Sequence, residues 1–282
     1  MTRPRNLVNR ASDYVSVKDF GAVGDGSTDD TAAIQAAINS LPLNTASVGV
    51  LTPKGFAQGG TIYIPRGRYK ITSTITMQRG LRLVGEGREA SQLISFQPLS
   101  VLKYNDAGRY LQDEIVIENI SIWQDSSVTA TSGAGIEVFL GPASVESVGI
   151  ILRNIYIEYT YRGVLLGAGV WCSVDNVDVF GAVLYGFDVR FTAAGTGTST
   201  STTSTTFKNC YASLCDTGYR VERGAYCSFV SCASDSNTNY GYMVEDGVGH
   251  SFIACGAEEN SVASVYLSNT VGILWNGVIN YG

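Results

Sequence analysis

The sequence predicts an all-β fold. The expected form is a right-handed parallel β-helix, wound as a single-stranded solenoid of ~22-residue coils and preceded by a short N-terminal α-helix. Three observations predict it. The chain of 282 residues holds 32 Gly but only 16% charged residues, against a usual charged fraction of about 25%. That composition suits short strands and tight turns and argues against a helical bundle. Second, a strand motif recurs with central residues Asn119, Asn154, Asn176, Asn209, Ser231, Ala254 and Asn276, at intervals of 35, 22, 33, 22, 23 and 22. Third, a separate strand marker begins at Gly163, Gly186, Gly218, Gly241 and Ser264, at intervals of 23, 32, 23 and 23. Two markers sharing one period define a coil, and the long intervals are a coil plus an insertion.

The elements follow in order. Residues 1–14 read as a flexible lead-in. Residues 15–58 form the expected cap. Val15 to Phe20 alternates as a strand, and Gly21 to Gly26 is turn material. Ser27 to Asp30 offer N-cap candidates and acids for the positive end of a helix. Ala33, Ile34, Ala37, Ile38 and Leu41 make one apolar stripe at helical spacing, and Pro42 follows it. Residues 43–58 read as a loop. Residues 59–282 are the solenoid body, interrupted by a low-complexity polar loop from Gly195 to Ser204.

The period gives individual residues an address. Asn119, Asn154, Asn176, Asn209 and Asn276 fall where the inward–outward alternation switches parity. A left-handed backbone there favours Asn, and stacked coils would join the amides in a ladder. Cys210, Cys232 and Cys255 fall in one inward column, where free Cys serves as a small hydrophobe.

The string VSVKDFGAVGDGSTDDTAAIQAAI at 15–38 resembles the opening segment of the pectate-lyase-like β-helix superfamily. It is most similar to versions in bacteriophage tailspikes and tail-fibre depolymerases. GGTIYIPRGRY at 59–69 and LVGEG at 83–87 match as well. The resemblance implies that the helix caps the N-terminal mouth and that Asp19, Asp25, Asp29 and Asp30 are structural. It implies a virion-tail protein made in the host cytoplasm, attached through residues 1–14 to a tail or adaptor protein, and assembled as a homotrimer. Tailspikes often carry a larger particle-binding domain before this segment and another domain after the coils. Either partner chains cover the last coil in a trimer, or the chain is the body of a longer spike.

Composition excludes other classes. The net charge of −6 is wrong for a nucleic-acid partner, which needs a basic face. No apolar run approaches a membrane span, so membrane insertion is not expected. The polar, basic N-terminus has no signal-peptide core. Six Cys in this length is not a disulfide scaffold. His250 is the single His, and its context lacks the companion motifs of polygalacturonases. Neither cofactor nor metal is expected.

Catalysis would sit on stacked carboxylates. Equivalent positions on adjacent coils lie about 4.8 Å apart, close to the ~5–5.5 Å carboxyl separation of retaining glycosidases. One outward column reads Glu158, Phe180, Ser213, Asp235, Glu258, Asn280, and stacks Asp235 on Glu258. Another reads Gly167, Arg190, Glu222, Glu245, Ser268, and stacks Glu222 on Glu245. Both are expected to border one groove. Arg223 and Asp246 are placed to pair one coil apart. Tyr156, Tyr211, Tyr266 and Trp123 take outward positions suited to stacking on sugar rings. The expected function is recognition of a bacterial surface polysaccharide, with depolymerisation by hydrolysis favoured over elimination. The alternative is a non-enzymatic tail fibre or receptor-binding module with a passive shaft.

Overall fold

The computed structural model describes residues 14–41, 59–78, 80–104, 114–139, 149–167, 171–190, 202–276 and 279–281. The lead-in before Tyr14, the loop 43–58 and most of the low-complexity loop lie outside the described residues. Every strand pairing among those described is parallel, and strands pair with their equivalents one coil on. The result is the right-handed parallel β-helix that the repeat predicts, with three faces.

One coil shows the plan. Ser173–Phe180 bends at Asn176, so that 173–175 belongs to face A and 177–180 to face B. A short turn leads to Tyr185–Arg190 on face C. Two coils on, the same faces are built by Ser228–Val230, Ala233–Asp235 and Tyr240–Glu245.

The A–B corner turns on a left-handed residue in six consecutive coils. Asn119, Asn154, Asn176, Asn209, Ser231 and Ala254 have φ of 60, 53, 54, 52, 51 and 53°. The predicted amide ladder forms over three coils. Asn154 Nδ2 donates to Asn119 Oδ1 at 2.8 Å, and Asn176 Nδ2 to Asn154 Oδ1 at 3.0 Å. It then breaks, because Asn209 Nδ2 turns to Asp175 Oδ1 at 3.4 Å.

The last coil corrects the alignment by one residue. Trp275 pairs with Phe252, and Asn276 with Ile253, one position before the corner. Trp275 stacks on Phe252 with ring centroids 3.8 Å apart. This inward stacking, rather than the Asn match, sets the register. The same slip places Tyr281, not Asn280, beside Glu258.

The core is built of ladders. Phe207, Phe229 and Phe252 stack at 4.8 and 4.6 Å, and Phe187, Tyr219 and Tyr242 at 4.7 and 4.8 Å. The two stacks meet edge to face, a favoured aromatic geometry. Cys210, Cys232 and Cys255 are buried free thiols, as the inward column requires.

The cap differs in detail from its sequence reading. The first strand is only Tyr14–Ser16, and Val17–Phe20 winds as a 3₁₀ turn. Ser16 caps it: its side chain accepts from Lys18 N, while Ser16 N donates to Asp19 Oδ2. Asp25–Asp29 is an irregular strand paired with Gly67–Ile71, rather than turn and cap alone. The helix runs Thr31–Asn39 and buries Ile34, Ala37 and Ile38 against the solenoid. Asp30 sits at its N-cap but spends its carboxylate elsewhere, accepting from Val23 N at 2.6 Å and Gly24 N at 3.1 Å. Asp29 accepts from Thr31, and Asp25 from Ser27 and Thr28. All four cap aspartates therefore bind backbone.

His250 is fully buried, and its Nδ1 accepts from Cys227 N at 3.1 Å. It is a core residue. Burial lowers its pKa from 6.5 to about 4.

Two predictions follow from this architecture. Asn154→Ala should cost about 1–3 kcal/mol through the left-handed backbone and the broken ladder, and Asn154→Gly clearly less. Urea denaturation of both variants checks this. The lowered His250 pKa means the unfolded chain binds the proton first. The resulting stability is intact above pH ~6.5 and declines as pH falls toward 4, on the order of 3 kcal/mol in all. Denaturation midpoints between pH 7 and 4 should show that component in the wild type and not in His250→Gln.

Candidate functional site

Outward positions on face B form two continuous columns. One reads Gln92, Ser121, Tyr156, Asp178, Tyr211, Ala233, Gly256. The other reads Ile94, Trp123, Glu158, Phe180, Ser213, Asp235, Glu258. Strand alternation puts both columns outside, and parallel register stacks them. Face B is therefore a stripe of aromatic rings interleaved with carboxylates.

Asp235 and Glu258 are register partners, as the sequence predicts. Tyr211 Oη donates to Asp235 Oδ2 at 2.8 Å, while Asp235 Oδ1 is buried with no hydrogen-bond partner among the described residues. Burial raises the Tyr211 pKa, and the bond to Asp235 adds to the shift. Glu258 is exposed beside it.

At the other end of the stripe lies a cleft of about 590 Å³, lined by Arg88, Glu89, Gln92, Ser121, Trp123 and Tyr156. Trp123 and Tyr156, singled out from sequence, thus share one cavity. The Arg88 guanidinium lies over the Tyr156 ring, 5.4 Å from its centroid, and pairs with Asp178. Glu158 has Trp123 on one side and Phe180 on the other in its column. Burial raises its carboxyl above the usual range. Sequence reasoning placed Glu158 in the right column but gave it no role. Arg88 was missed, since nothing local ties a turn residue to Asp178, 90 positions on.

Face C holds a different assembly. Glu222 and Glu245 are register partners, as expected. Both are engaged by Arg220, whose Nη2 lies 3.0 Å from Glu222 and 3.3 Å from Glu245. Behind them Asp188 is fully buried. Arg162 Nε donates to it at 2.9 Å and Arg190 Nε at 3.0 Å, with Arg220 Nη1 at 3.6 Å. Burial lowers the Arg220 pKa, but Tyr185 and the three acids outweigh it, for a net rise. Asp188 was legible as an outward residue between inward Phe187 and Val189, yet its column was not followed.

The two carboxylate pairs do not border one groove. Asp235 ends the face B strand, whereas Glu245 lies at the far end of the six-residue face C strand that follows, about 17 Å further on at ~3.3 Å per residue. Arg223 and Asp246 do pair, at 3.5 Å, on the exposed corner beyond Glu222 and Glu245. Tyr266 is also on face C, half-exposed beside Tyr240 with centroids 5.0 Å apart. Of the predicted residues, face B gathers Trp123, Tyr156, Tyr211, Asp235 and Glu258, face C holds Glu222, Glu245 and Tyr266, and Arg223 and Asp246 lie on the corner beyond it. No cluster of three or more His, Cys, Asp or Glu side chains placed to hold a metal occurs among the described residues.

The chain belongs to the rhamnogalacturonase A/epimerase, pectate lyase-like family, whose sequence model matches residues 14–243. Among solved structures it is similar to the gp42 tailspike of Acinetobacter phage vb_AbaP_AS12, with TM-score 0.69 and 14% identity over 94% of this chain and 46% of that one. It is also similar to the phiAB6 tailspike, solved with oligosaccharides of the Acinetobacter baumannii surface polysaccharide. That match has TM-score 0.62 and 19% identity, over 96% of this chain and 48% of that one. By sequence it is 39% identical over 79 residues to mannuronan C5-epimerase AlgE3 of Azotobacter vinelandii, covering 26% of this chain and 4% of the epimerase. The chain thus spans less than half of these tailspikes and a small part of the epimerase.

Asp188→Asn should destabilise the protein by about 3–5 kcal/mol, because it removes the one buried negative charge on which three half-buried arginines converge. Glu222→Gln, on the partly exposed rim, should cost under about 1 kcal/mol. Chemical denaturation of the two variants measures the contrast.

Proposed function

We propose that the chain is the β-helical body of a tailspike-like protein that binds a bacterial surface polysaccharide along face B and cleaves it by hydrolysis. The observation that carries this reading is the stripe itself, with ring faces for sugars and the register pair Asp235–Glu258 at one end. The tailspike likeness of the fold supports it.

The chemistry is that of two carboxyls one rung apart. A rung of about 4.8 Å matches the short carboxyl separation of retaining enzymes. Asp235, held as an acceptor by Tyr211, is the nucleophile at the anomeric carbon. Glu258 protonates the departing glycosidic oxygen. Water then cleaves the glycosyl–Asp235 ester, with Glu258 taking its proton. Glu222 and Glu245 are the weaker pair, since Arg220 already engages both. Attachment through residues 1–14 to a tail or adaptor protein, a homotrimeric state and a virion-tail location belong to the same proposal.

Incubation with capsules and lipopolysaccharides from a host panel tests it. Asp235→Asn and Glu258→Gln should each reduce oligosaccharide release by about 10²-fold or more, while Glu222→Gln and Glu245→Gln leave most of it. Unsaturated ends absorbing in the ultraviolet would indicate a lyase instead. Full binding without chain shortening would indicate a passive shaft. Sedimentation should report a trimer.

A further inference from the structure

The cleft at the far end of face B has features that hydrolysis at Asp235 and Glu258 does not use. Two polar atoms in its lining residues are buried with no hydrogen-bond partner among the described residues: Ser121 Oγ and Trp123 Nε1. Ser121 is only 2% exposed. Folded proteins leave few such atoms unmade, and each one asks for an explanation. Here both residues line one cavity, whose volume of about 590 Å³ lies in the ~300–1,000 Å³ range of small-ligand sites. Trp123 supplies a ring as well as an N–H, and Tyr156 is held in place by Arg88.

The charges around the cleft select the ligand. Arg88 is the cation in the lining, and Asp178 already pairs with it. Glu89 is exposed at the rim. Glu158 adjoins Trp123 in its column. Arg68 and Lys70, one rung back beside Gln92 and Ile94, both act on Asp125, and Lys70 lies over the Phe96 ring. Carboxyls thus outnumber cations around the cavity, and an anionic sugar would meet repulsion rather than a fork of donors.

We propose that this cleft is a subsite for a neutral sugar residue, which presents a hydroxyl or amide oxygen to Trp123 Nε1 and Ser121 Oγ. The inference rests on the polysaccharide-binding reading of face B and specifies its substrate class. The column from Trp123 through Glu158, Phe180 and Ser213 to Asp235 is four rungs long, about 19 Å at ~4.8 Å per rung. Only a chain of several sugars reaches both ends. The subsite therefore favours long substrates over single repeat units.

The test uses the full chain on an array of neutral and uronate-containing bacterial polysaccharides, with polymannuronate and polygalacturonate as anionic references. Calorimetric titration of the bound glycans follows. Neutral glycans should bind, and the uronates should not. Trp123→Phe keeps the ring but loses the donor, and should weaken binding about five- to tenfold. Ser121→Ala should act in the same direction. Thermal melts confirm that both variants fold. Exclusive binding of acidic glycans overturns the inference and leaves the polysaccharide reading standing. So does neutral binding that neither substitution weakens. Silence across the whole array overturns both.

Discussion

Vertical register between coils is the constraint on which everything else here depends. A parallel β-helix has one strand spacing, about 4.8 Å, and repeats it along its length. Whatever residue occupies a position is held one rung from its equivalents above and below. Inside, this turns Phe207, Phe229 and Phe252 into a stack and gathers buried thiols into a column. Outside, it turns isolated acids into pairs and isolated rings into a stripe. The corners keep the register, because left-handed residues recur at equivalent points and start each face anew.

The two outer faces use the same rule to opposite ends. On face C, rung spacing brings Arg162, Arg190 and Arg220 around one buried carboxylate. Each charge has a partner, and the assembly is a structural clasp. On face B, the acids alternate with aromatic and small residues. Among the described residues, Asp235 Oδ1, Trp123 Nε1 and Ser121 Oγ have no hydrogen-bond partner.

How much was legible follows from where information resides. The fold was readable because the repeat is an arithmetic property of the chain, and so were the columns pairing Asp235 with Glu258 and Glu222 with Glu245. The register of the last coil was misread because Asn276 resembled a corner residue, whereas the stacking of Trp275 decided it. Val17 to Phe20 alternates like a strand but winds as a turn, because Ser16 and Asp19 cap each other. Periodicity gave a column but not a direction around the coil, so two separated carboxylate pairs looked like neighbours. Arg88 was beyond reach, because its contact crosses three rungs and no sequence period encodes it.

That contact has a further consequence. A solenoid is nearly one-dimensional: each repeat touches its neighbours, and unfolding can begin at an end and proceed stepwise. Arg88 projects from the turn before Gln92 and grips Asp178, while Ser121 and Tyr156 occupy the rungs between. The clamp links layers that are not adjacent. Fraying that arrives from the C-terminal side meets this bridge at Asp178, and the bridge adds a small resistance there, about 1 kcal/mol or less for a pair that is partly exposed. The stretch of the shaft that carries the cleft thus also carries a tie between layers that do not touch through their strands.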